Sequence, residues 1–255
     1  MGGNANPMEL APASATFSFE FFAALIASVR DAGYTFRRID EPPAPAGQRT
    51  FYLRHDVDIS PICAEKLGEV AAGAGARSSF FFQLNAETYG IFSQENRRIM
   101  TRLRSLGHCV GLHIDEALIG EAEAPIIQTL DWFNQCCWPV DRAVSFHRPS
   151  KNVLGRRYDG FVNSYAPGLW GEDRYLSDSR RQIAFWDRLQ EWLREGRTPI
   201  QLLLHPVWWH PHPDIECLWK DLRARRVLEL ERYVLANFSK VFASVIKPSD
   251  FLPTV

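Results

Sequence analysis

Arg54-His55-Asp56-Val57-Asp58 is the stretch of this chain best equipped to do chemistry. It follows the apolar run Phe51-Tyr52-Leu53, which reads as a short buried strand. Asp56 and Asp58 are two residues apart. In a continuing strand they share one face; in a turn they converge on one point. Two carboxylates held close repel each other unless a cation sits between them or one keeps a proton. One carboxylate on a metal and another free as a base is what a metal-assisted hydrolase needs. The same residues also suit a solvated loop after a strand, with Asp as turn former.

Three more apolar runs end on ionisable residues. His113 follows Cys109–Leu112, His147 and Arg148 follow Ala143–Phe146, and His205 follows Gln201–Leu204. In a parallel sheet all four positions lie at the C-terminal edge, where active sites form. A single histidine in such a place is more often structural. Four together point to a shared site. Imidazole nitrogen plus carboxylate, with room for water, suits a divalent metal such as zinc. Cysteine, the usual ligand of structural zinc, is absent from these positions.

The elements that must position these residues alternate. Helices are expected over 17–32, 61–74, 94–105, 125–135, 181–194 and 217–236. Strands are expected over 51–53, 79–84, 109–112, 143–146 and 199–204. The Pro-rich stretch 41–49 reads as a surface connection, and 151–175 as less regular. Strand–helix alternation means a parallel sheet with crossover helices. The 255 residues are enough for a (β/α) barrel, but fewer than eight units are visible. The expected fold is therefore α/β, a distorted, incomplete (β/α) barrel with about seven strands; an open doubly wound sheet is the alternative. Residues 1–14 read as a flexible arm and 15–255 as one domain. No glycine-rich phosphate loop follows a strand, which argues against a nucleotide fold.

These residues resemble the motifs of the NodB-like polysaccharide deacetylases, carbohydrate esterase family 4. The resemblance runs from about residue 50 to about 210. It rests on Arg54–Asp58, Gly111-Leu112-His113, His147-Arg148-Pro149 and Leu203-Leu204-His205-Pro206. The first motif is similar to that of a bacterial subgroup found with O-antigen and other surface-polysaccharide genes. The resemblance implies a distorted barrel and metal-dependent hydrolysis of acyl groups on sugars. Residue by residue it implies Asp56 as catalytic base, Asp58 and His113 as metal ligands and His205 as general acid. Asp178 would be the carboxylate that orients His205.

Two departures stand out. The family's second metal histidine falls at Ala117, and the arginine that opens its third motif falls at His147. The simplest repair makes His147 the third ligand beside Asp58 and His113. Asp115 is the other candidate, and a decayed site that binds without cleaving is a further reading. Trp208 and Trp209 suit a stacking wall for a sugar ring or interior packing alike. Arg148 and Trp208 are taken as substrate-binding. His55 suits the site or packing beside its strand. His210 and His212 read as loop residues, and His108, at a strand start, belongs to the opposite end.

Bulk properties narrow the function. Twenty-nine Lys and Arg against 30 Asp and Glu give a net charge of −1, so nothing argues for a polyanion or nucleic-acid partner. The 46% hydrophobic content supports a sizeable core. Five cysteines, odd in number and without a CxxC, read as free thiols in a reducing cytosol. No signal peptide or integral membrane segment is read, so the expected location is cytoplasmic. The expected function is a metal-dependent deacetylase, most simply a zinc enzyme, acting on an N-acylated sugar or saccharide in surface-polysaccharide biosynthesis. The alternatives are a catalytically degenerate carbohydrate-binding protein on the same fold and a hydrolase of a non-sugar amide.

Overall fold

The computed structural model describes residues 15–242 and 244–246. The arm expected over 1–14 lies outside the described residues. The chain divides into two compact units, Met1–Pro211 and His212–Val255. All strands among the described residues lie in the first unit.

That unit runs α1 (Phe19–Asp31), β1 (Thr35–Arg37), β2 (Thr50–Val57), α2 (Pro61–Gly73), β3 (Ser79–Gln83), α3 (Gln94–Ser105), β4 (Cys109–Asp115), α4 (Glu116–Ile119), α5 (Glu123–Cys136), β5 (Ala143–His147), β6 (Val162–Asn163), β7 (Tyr175–Ser177), α6 (Phe185–Glu195) and β8 (Ile200–Leu204). Every strand pairing is parallel, in the order β6-β5-β4-β3-β2-β8-β7, with β1 against the start of β2. The result is a curled half-barrel, an incomplete (β/α) barrel with seven strands along its main path. The very short β1, β6 and β7 escaped the sequence reading, because two or three residues carry no measurable alternation.

Local chemistry starts the helices. Ser18, Ser60 and Ser93 cap α1, α2 and α3, their hydroxyls accepting from Phe21 N, Cys63 N and Asn96 N. Pro61 occupies the first turn of α2, where its missing N–H costs nothing.

Alternation along the strands then sorts side chains. Phe80, Phe82, Val110, Leu112, Ile114, Val144 and Phe146 pack with residues of α2, α3 and α5. Phe51, Leu53, Ile200, Leu202 and Leu204 pack with α1, α2 and α6. Each such fully buried side chain contributes roughly 1.5–3 kcal/mol. The residues between them, Arg54, Asp56, Phe81, Gly111, His113, Ser145 and Gln201, are buried on the other face. Gly111 is required there. A Cβ would lie 2.3 Å from the Ala143 carbonyl oxygen and 2.9 Å from the Phe81 ring. No disulfide contributes, since all five cysteines are free.

The described part of the second unit is mostly helical, α7 (Ile215–Phe242), kinked at Phe238 and started by Asp214, whose Oδ1 accepts from Glu216 N and Cys217 N. No helix among the described residues is long and apolar enough to cross a membrane.

Candidate metal centre

β2 continues well past Leu53, so His55 and Asp56 are strand residues rather than loop residues. Alternation puts Arg54 and Asp56 on the inner face and turns His55 to the outer one. His55 is fully buried, stacked on Phe80 at 4.3 Å with an edge to Phe22. It is a packing residue and does not line the site.

Asp58, His113 and His147 come together at the C-terminal edge. One ligand atom from each lies within 4.8 Å of the others. His113 Nε2 is 3.2 Å from Asp58 Oδ1 and 3.1 Å from His147 Nδ1, and His147 Nδ1 is 3.6 Å from Asp58 Oδ1. His113 Nδ1 lies 3.2 Å from the Ser145 carbonyl oxygen. A carbonyl only accepts, so Nδ1 carries the proton and Nε2 presents a lone pair toward the others. Asp58 Oδ1 is buried without a hydrogen-bond partner. Electron-rich atoms this close are stable only around a cation, either protons on the imidazoles or a metal ion. Burial works against ionising Asp58, but its contacts with His113 and His147 hold its carboxyl well below the usual carboxylate range. The close contact with the Asp58 carboxylate raises the His147 pKa. The donor set, two imidazoles and a carboxylate, fits a catalytic divalent metal. Asp115 plays another part: its Oδ1 accepts from Ala117 N and caps α4.

Asp56 stands just below and is held differently. Arg54 Nε and Nη2 donate to its two oxygens at 2.9 and 2.7 Å, and Ser145 Oγ donates to Oδ2 at 3.0 Å. Arg54 Nη2 also reaches Ser145 Oγ and Tyr165 OH, and the guanidinium lies 4.2 Å from the Tyr165 ring centroid. Both members of the pair are buried. Burial pushes the Asp56 carboxyl up, but the Arg54 charge and hydrogen bonds together with the charges of His113 and His205 outweigh it, and the net shift is downward. Three of the carboxylate's roughly four lone-pair directions are thus occupied, leaving one on Oδ1.

His205 Nδ1 is 2.6 Å from Asp178 Oδ1, and its Nε2 is 3.8 Å from Asp58 Oδ2. Asp178 is fully buried and accepts from His205 N and, at 3.1 Å, from Trp209 Nε1. Burial disfavours the imidazolium, yet the hydrogen bond and charge of Asp178 prevail and raise the His205 pKa.

A cavity of 370 Å³ opens over this group. Asp56, Asp58, His113, His147, Arg148 and His205 line it with Phe146, Pro149, Leu154, Tyr165, Trp170, Tyr175, Ser179 and Leu203. Arg148 is therefore brought to the site. Trp208 is not: it ends the 3-10 turn Pro206–Trp208 after His205 and packs against the outer cluster of α1 and α6. Of this adjacent pair it is Trp209, fully buried, that reaches the site, through Asp178. His210 is buried near Phe17, whose carbonyl accepts from its backbone N–H, and lies outside the lining. His108, at the other end of β4, bonds Ser78 N and the Gly68 carbonyl.

The sequence reading missed Ser145 and Tyr165, gave Arg54 no role of its own, and weighed Trp209 only as a stacking wall or a packing residue. Arg54 was findable: an arginine two residues before an aspartate in a strand shares its face. The others reach the site from 91 and 111 residues away from Arg54, or from 31 away from Asp178, which spacing alone does not reveal.

No protein-family profile and no curated protein matches the chain. Among solved structures it is similar to a peptidoglycan deacetylase of Bdellovibrio bacteriovorus, at 17% identity and a TM-score of 0.41. The match covers 75% of this chain and 56% of that one, so this chain spans little more than half of that protein's length.

Proposed function

We propose that this chain is a metal-dependent hydrolase that removes the acyl group from an N-acylated sugar, of the kind met in surface-polysaccharide biosynthesis. The observation that carries the reading is the convergence of unbalanced donors, Asp58, His113 and His147, beside a carboxylate already bound to its own arginine. Ala117 had suggested a decayed site. His147 supports an active one, because it offers a third donor from the neighbouring strand.

Asp58 Oδ1, His113 Nε2 and His147 Nδ1 would hold a divalent ion, most simply zinc. Bound there, it supplies a Lewis acid that polarises an acyl carbonyl and acidifies water. Asp56 is kept out of the ligand set by Arg54 and Ser145, which occupy most of its lone pairs. Its remaining Oδ1 lone pair takes the proton of the attacking water. His205, whose hold on a proton Asp178 strengthens, gives an Nε2 proton to the departing amine. Asp178, oriented by Trp209, sets the imidazole's direction. Phe146, Leu154, Trp170 and Tyr175 exclude water around the sugar and give its apolar face something to pack on.

The test is metal analysis of protein purified without chelator, together with acetate release from N-acetylated saccharides. One divalent ion per chain and metal-dependent acetate release support the reading. Protein that binds no metal, or releases acetate equally well after chelation, refutes it.

A further inference from the structure

Arg148 is unlike every other charged group at the cavity. The carboxylates around it already have partners: Asp56 has Arg54, Asp178 has His205, Asp58 faces His113 and His147, and Glu116 accepts from Ser150 N. No described carboxylate pairs with Arg148, although it lines the cavity and offers five N–H donors. It is the only Arg or Lys among the lining residues.

Its backbone is also held in an unfavourable state. Arg148 has φ +51, in the left-handed region that side-chain-bearing residues rarely adopt. Pro149 follows, and a residue before proline is normally pushed to extended conformations. Strain of this kind persists where the surrounding structure imposes it, and it clusters at ligand sites. Here it fixes the exposed Arg148, which has no carboxylate partner among the described residues, at the cavity wall directly after His147.

Charge balance indicates what belongs there. With a divalent ion on Asp58 and the other carboxylates neutralised, the cavity carries excess positive charge, and its remaining walls are largely apolar. We propose that Arg148 binds an oxyanion carried on the N-acylated sugar, a phosphate or a carboxylate, so that the substrate class is an anionic N-acylated saccharide. This rests on the N-acyl-sugar reading above. A guanidinium matches both groups, through two parallel N–H bonds to two oxygens.

The experiment compares three probes: N-acetylglucosamine, its 1-phosphate, and N-acetylmuramic acid, which carries a carboxylate. Binding is measured by calorimetry on zinc-loaded protein and on chelated protein, so that capture of the anion by the metal is separated from capture by Arg148. Wild type is set beside Arg148→Gln and Arg148→Lys, each checked for an unchanged melting temperature. The expected result is that at least one charged probe binds about tenfold or more tighter than the neutral sugar with or without zinc. Arg148→Gln should bring that ratio close to one, and Arg148→Lys should restore part of it. Which charged probe responds identifies phosphate or carboxylate. Equal binding of charged and neutral probes, binding of none, or a ratio that survives Arg148→Gln overturns the proposal. Acetate release is read separately. Arg148-dependent binding without release keeps the anion site and sinks the deacylase reading; release with no Arg148-dependent ratio does the reverse.

Discussion

The half-barrel carries two clusters of metal-type residues, one at each end of the same strands. Asp58, His113 and His147 lie at the C-terminal edge; Asp40, Cys109 and Asp141 lie at the N-terminal end. By residue type and mutual distance both qualify. Their electrostatics differ. Asp40 is clasped by Arg38 at 2.9 and 2.6 Å. Asp141 accepts from Arg104 at 2.8 Å and from Val110 N at 2.8 Å. Burial pushes the Cys109 thiol well above its usual value, so it keeps its proton. That cluster is already balanced and has structural work to do. At the other end an orphaned carboxylate oxygen faces two imidazole nitrogens, with no arginine or lysine paired to it. A metal site is thus marked by missing charge rather than by ligand-type residues alone.

The sharpest way to break this contrast is to count metal in variants of each cluster. His113→Ala or His147→Ala should lose the ion, weakening affinity by more than the ~10–100-fold that outer-shell changes cost. Asp115→Ala should retain it. Metal analysis after gel filtration reads the outcome; loss with Asp115→Ala and retention with His147→Ala would reverse the assignment. Next in size is catalysis. Asp56→Asn and His205→Ala should each lower acetate release by about 10²–10⁴-fold with metal content unchanged. An active wild type whose two variants turn over normally would sink the acid–base pair.

Stability separates the ends further. Arg54→Leu leaves Asp56 buried without its partner and should cost about 3–5 kcal/mol in urea unfolding. Arg38→Leu, on the half-exposed pair with Asp40, should cost at most about 1 kcal/mol. Comparable losses would show that burial does not decide the value of these pairs.

pH gives a subtler test. Burial holds the pKa values of His55 and His108 below the ordinary 6.5, so both are neutral when folded. At these two positions the unfolded chain binds more protons below 6.5, so their contribution to stability should fall as pH drops through that value, against the opposite contribution of His147 and His205, whose raised pKa values favour the folded state at low pH. Asp56 and Asp58 are shifted down from 3.8, so their contribution is lost only as pH falls below it. Replacing His55 with Phe should flatten the first decline in a melting series from pH 8 to 5. At the candidate metal centre protons would compete for the His147 nitrogen, so any metal affinity should weaken over the same range.

The smallest expected effect falls on the balanced cluster. Cys109→Ala should leave metal content unchanged; a loss would show that the wrong end was chosen.

From its sequence alone the chain determined its layers and the placement of its polar strand ends. Short apolar runs such as Phe80-Phe81-Phe82 and Cys109–Leu112, alternating with helical stretches, encode a parallel sheet covered by helices. They also set His113, His147 and His205 at one edge, because these signals are local. Tertiary structure alone decided which groups are balanced. Ser145, Tyr165 and Trp209 reach Arg54 and Asp178 across long stretches of chain, and Trp208 turns away while Trp209 turns in. Charge neutralisation depends on distances between residues remote in sequence, and those distances exist only once the sheet has curled.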